Sequence, residues 1–141
     1  MSRFTSLVAL VASRSHKFLL AALLTFPALV AAQNLDPTRF ESTIERFEAR
    51  DAESMPPEGG IVLTGSSSIA MWNNRAAEAL APLSVIPRGF GGSVMGDVLH
   101  YLDRVALKYK PRAILIYEGD NDTAFGLELD LVESQLTEII A

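Results

Sequence analysis

Ile61-Val62-Leu63-Thr64-Gly65-Ser66-Ser67-Ser68-Ile69 decides the reading of this chain. Four β-type residues run straight into Gly-Ser, and Trp72 follows shortly after. A strand that opens into a tight polar turn is a common way to present a hydroxyl at the top of a parallel sheet. The pattern repeats twice. Arg88-Gly89-Phe90-Gly91-Gly92-Ser93 follows the run Leu83 to Ile86, and Glu118-Gly119-Asp120-Asn121-Asp122 follows Ala113 to Tyr117. Three Gly-containing polar turns, each after a short strand, are how a site is assembled from strand ends.

The segments between these strands read as helices. Asp36-Pro37 is a helix start, because Asp can cap free amides and Pro suits the first helical position. Phe40, Ile44 and Phe47 then form one apolar stripe, ending near Arg50. Ser54 to Gly60 is a loop. Helices are expected over 72–80, over 93–107 through Val94, Val98, Leu102 and Val105, and over 127–140 through Leu127, Leu131, Leu136 and Ile140. Strands alternating with helices predict an α/β fold with a parallel sheet. The continuous apolar run of the third strand suggests cover on both faces. Three strands are few, and the third would be an apolar edge unless something pairs with it. The chain stops inside the last helical pattern, which suggests a C-terminally incomplete domain.

Composition narrows the function classes. The chain has 141 residues, 49% hydrophobic and 21% charged, which suits one folded domain. It has no cysteine, which excludes disulfides and thiolate chemistry, and only two histidines, His16 and His100. Residues 1–32 read as a secretory signal peptide: Arg3, Arg14 and Lys17 precede an apolar run to Ala32, and Val30-Ala31-Ala32 supplies small residues for cleavage. The expected mature domain is 33–141, periplasmic or secreted, with no stable membrane anchor after cleavage. Of the twelve basic residues three lie in the leader, and all 17 acidic residues lie after it, so the mature charge is 9 − 17 = −8. Such a surface disfavours nucleic acid as a partner.

The three turns together resemble blocks I, II and III of the SGNH hydrolases, the GDSL-type esterases and lipases. The resemblance covers roughly 60–126. It implies a three-layer flavodoxin-like parallel sheet, the SGNH hydrolase fold. Aligned without gaps, Gly65-Ser66-Ser67-Ser68 places the nucleophile at Ser67, with Ser66 where the family has Asp and Trp72 matching a frequent aromatic. Gly89-Phe90-Gly91-Gly92 implies that Gly92 offers a backbone amide to an oxyanion, and Gly119-Asp120-Asn121-Asp122 implies that Asn121 offers its side-chain amide. Asp122 is expected to order its loop, and Glu118 and Asp120 to be solvated charges. Pro87 stands where relatives often carry Asn. No metal or cofactor is implied. The substrate implied is a small-molecule carboxylic ester or thioester.

The fourth family block is Asp-x-x-His near the C-terminus. Asp97-Val98-Leu99-His100 has the spacing but falls directly after the second block, and reads instead as a surface pair on a helix, with Asp97 favourable in the first turn. No histidine follows residue 100. A serine without a general base is a poor nucleophile, so this form is expected to be inactive or nearly so. The competing reading is a non-catalytic α/β module that binds an acylated small molecule or carbohydrate.

Overall fold

A computed structural model describes residues 35–141, so the predicted signal peptide lies outside the described residues. The elements in chain order are helix α1 (Glu41–Glu53), strand β1 (Ile61–Gly65), helices α2 (Ser67–Ala70) and α3 (Ala76–Ala79), and strand β2 (Val85–Gly89). Helices α4 (Met95–His100) and α5 (Leu102–Val105), strand β3 (Ala113–Tyr117) and helices α6 (Asp120–Ala124) and α7 (Leu129–Ile140) complete the order. The sheet order is β2-β1-β3, with both pairings parallel. Helices cover both sides of the sheet, giving an α/β three-layer arrangement.

Alternation along the strands feeds two cores. Val62 and Ile86 point to one side, where they meet Ile44 and Phe47 of α1, Val98 of α4, Val105 of α5 and the ring of Phe90. Leu63 points to the other, against Ile69 of α2 and Ala76 of α3. Each fully buried aliphatic side chain contributes about 1.5–3 kcal/mol, so the larger cluster around α1, α4 and α5 dominates. Its polar anchor is the carboxylate of Asp51, which pairs with Arg88 of β2 and with Lys108, and accepts a hydrogen bond from Tyr109. Burial works against that charge, but the Lys108 and Tyr109 hydrogen bonds and the Arg88 charge outweigh it and hold the carboxyl below its usual range.

Several sequence expectations shift in detail. Asp36 does cap, accepting from the Thr38 amide at 2.8 Å, but it closes a turn, and α1 proper runs from Glu41 to Glu53. Of the expected 72–80 helix only α3 is helical, with turn residues before it, and β2 starts two residues later than expected. The 93–107 helix is broken after His100. The third strand has cover on one side: Ile114 and Ile116 pack on the larger core, whereas Leu115 and Tyr117 are 49% and 47% exposed. The smaller layer draws on Leu63, Ile61 and Val85 and reaches β1 and β2 only. In α7 the half-buried face is Val132, Gln135 and Ile139, so the predicted stripe Leu131, Leu136 and Ile140 faces outward.

Candidate functional site

The register brings the three turns together. Gly65 of β1 pairs with Gly89 of β2 on one side and with Tyr117 of β3 on the other, so the turns that follow leave the sheet at one level. The strand order reverses at β1, the kind of crevice where ligands bind in open α/β sheets. Gly65 makes this approach possible. It sits at φ +118°, and a Cβ there would lie 2.2 Å from the Tyr117 carbonyl oxygen. Backbone bonds then lock the turns: the Ser66 amide donates to the Tyr117 carbonyl (3.1 Å) and the Phe90 amide to the Gly65 carbonyl (2.9 Å).

Exposure separates the adjacent serines. Ser66 is fully buried, while Ser67, the first residue of α2, is exposed. Ser68 is exposed as well, so exposure excludes Ser66 and leaves Ser67 and Ser68 open to a ligand. Ser67 packs beside the second turn: a Cβ added at Gly91 would lie 3.6 Å from its Cα. The next residue, Gly92, has φ +89° with open space around it, so the turn needs glycine for its conformation and leaves room above it. The Gly92 carbonyl is held by Arg39 at 3.3 Å.

Asn121 ties all three turns. Its Nδ2 donates to Ser66 Oγ at 2.6 Å and to the Ser93 carbonyl at 2.8 Å. Those two bonds use both amide hydrogens, so stabilising an oxyanion requires Asn121 to share or exchange one of them. Asp122 orders its loop, as its position suggested. It is 2% exposed, and its carboxylate accepts the Met95 amide at 3.0 Å, joining the third turn to α4.

Four residues around the site differ from the sequence expectation or lie outside it: Glu118, Asn73, Arg39 and Asp97. Glu118 is not a solvated charge. Its Oε1 accepts the Ser93 hydroxyl and its Oε2 is buried without a partner. Burial pushes its pKa up to about 8; the Ser93 hydrogen bond opposes the rise, and the carboxylates of Asp122, Asp120 and Asp97 add to it. Glu118 therefore holds its proton to higher pH than an ordinary glutamate. Asn73 was not singled out. Its side chain accepts from the Gly89 amide (2.9 Å) and donates to the Gly89 carbonyl (2.8 Å), occupying the backbone edge of β2 where a further strand would sit. The sequence carried no strand-like signal there. Arg39 pairs with Asp97, which is 2% exposed and also accepts the Val94 amide. Asp97 is thus a buried anchor of α4 and not half of a surface pair. His100 stands exposed at the end of α4 against the Tyr101 ring.

No family model and no curated protein matches the chain. The fold is similar to that of a Streptococcus pneumonia protein provisionally described as a platelet activating factor. The TM-score is 0.60 at 20% sequence identity, covering 71% of this chain and 46% of that one. The chain therefore spans less than half the length of that relative. At this identity the likeness establishes an α/β fold of the same kind.

Proposed function

We propose that this constellation belongs to a serine hydrolase of carboxylic ester or thioester bonds, of the SGNH type that the three turns resemble. Ser67 is the nucleophile, and the amide of Gly92 and the side chain of Asn121 are the oxyanion donors. The observation that carries the proposal is the convergence of an exposed serine hydroxyl, a glycine turn with open space and an asparagine amide at the C-terminal ends of three parallel strands. Preorganised donors of this kind contribute about 3 kcal/mol each to an acyl-transfer transition state.

The base is the missing part. His100 is the one histidine among the described residues, and its would-be partner Asp97 is committed to Arg39. The described residues alone should therefore turn over esters poorly. Added imidazole, standing in for the base, should accelerate 4-nitrophenyl acetate hydrolysis beyond its reaction in buffer, and Ser67→Ala should abolish the excess. Equal rates for the two proteins would defeat the assignment.

A second reading has its own support. Both Asn121 amide hydrogens are engaged and no Asp–His pair stands at the site among the described residues, which fits a module that binds an acylated small molecule or carbohydrate without cleaving it. Retention of an ester ligand, with no imidazole-dependent excess, would favour it.

A further inference from the structure

A cleft of about 730 Å³ runs between α1 and the turn after β2. Phe47 and Phe90 contribute to its lining, Asn73 stands on one wall, and Arg46 and Arg50 line the α1 side. Gly91 lines it too, and Gly91 is the residue against which Ser67 packs, so the cleft opens beside the nucleophile.

Its charge runs against that of the chain. The described residues hold 9 basic and 17 acidic side chains, yet both titratable residues lining this cleft are arginines. Other cations of the same layer are paired: Arg39 with Asp97, Arg88 with Asp51, and Arg104 with Glu41 and Glu48. Neither Arg46 nor Arg50 has a carboxylate within ion-pair distance among the described residues. Arg46 donates only to the Ser42 carbonyl (3.2 Å) and the Thr43 hydroxyl (2.8 Å). Arg50 lies over the Phe47 ring at 5.1 Å. Four residues apart on a helix, the two point to the same side. A guanidinium spends little on desolvation and offers a fork that matches carboxylate or phosphate oxygens.

We propose that this cleft binds the anionic part of the substrate, an ester bearing a carboxylate or phosphate group that pairs with Arg46 and Arg50 while its ester carbonyl reaches Ser67 past Gly91. The substrate class rests on the hydrolase reading of Ser67, but the anion site itself does not.

Isothermal titration with phenyl phosphate, benzoate, inorganic phosphate and neutral benzyl alcohol tests it on the whole chain. Phenyl phosphate or benzoate should bind more tightly than benzyl alcohol. The double substitution Arg46→Gln/Arg50→Gln should weaken that binding by at least about tenfold, as expected for charge-assisted hydrogen bonds. Comparing the two aromatic anions tells carboxylate from phosphate, and inorganic phosphate reports whether the aromatic body contributes. Both arginines are exposed, so a matching urea midpoint will confirm that the variant is folded. Equal affinity for the variant, benzyl alcohol binding as well as the anions, or no binding to the unsubstituted chain would each overturn the proposal. If the unsubstituted chain binds phenyl phosphate through Arg46 and Arg50 but shows no imidazole-dependent esterase excess, the anion site stands and the hydrolase reading falls.

Discussion

Glu118 links the site to pH. Its folded pKa of about 8 compares with an ordinary value of 4.5, so between those limits the folded chain holds a proton that the unfolded chain has released. The unfolding free energy then falls as pH rises, by about 1.4 kcal/mol per unit at most. It is unaffected below 4.5 and levels off above 8. A shift of this size would be worth about 5 kcal/mol in a dry interior, and solvent screening around a half-buried side chain reduces it to about 2–3 kcal/mol. Glu118→Gln removes the titration and keeps a side-chain oxygen to accept from Ser93. Urea unfolding followed through Trp72, the only tryptophan of the chain, should show the unsubstituted protein losing about 2–3 kcal/mol relative to Glu118→Gln between pH 5 and 8.5. Parallel pH profiles for the two proteins would refute the argument, as would a Glu118 carboxyl titrating near 4.5 by carbon NMR.

Other outcomes follow from single contacts. Gly65→Ala places a methyl 2.2 Å from the Tyr117 carbonyl oxygen; it should force β1 and β3 apart and cost more than about 3 kcal/mol by urea unfolding, because the clash is with backbone. Asn73→Ala leaves both polar groups of Gly89 without their partner and should cost about 1–3 kcal/mol. Asp51→Asn uncouples a carboxylate from Arg88 and Lys108 and should cost about 3–5 kcal/mol at pH 7. Because the folded carboxyl titrates below its usual value, that cost should shrink as pH falls through the folded pKa.

What the sequence made legible was the backbone plan. Ile61 to Thr64 and Ala113 to Tyr117 are short β-rich runs bounded by turn residues, and local pattern suffices to place them. The turn glycines marked where strands end, so the convergence of Ser67, Gly92 and Asn121 at one end of the sheet followed from order alone. Facing was not legible. Leu131 and Ile139 are equally apolar, and only the position of α4 decides which of them turns inward. Only the ungapped match to the family block told Ser66 from Ser67, since adjacent serines differ only in the side of the turn they occupy. Glu118 and Asp97 were read as solvated because isolated acidic residues usually are; their partners Ser93 and Arg39 lie 25 and 58 residues away, and no local signal announces such pairs.

Covalent trapping tests the central claim most directly. An alkyl fluorophosphonate, incubated with the whole chain in the presence of imidazole, should add one phosphonyl group, and peptide mass mapping should place it on Ser67. Adduct on Ser66, Ser68 or any other peptide, or undiminished labelling of Ser67→Ala, would contradict a nucleophile presented by the turn after β1.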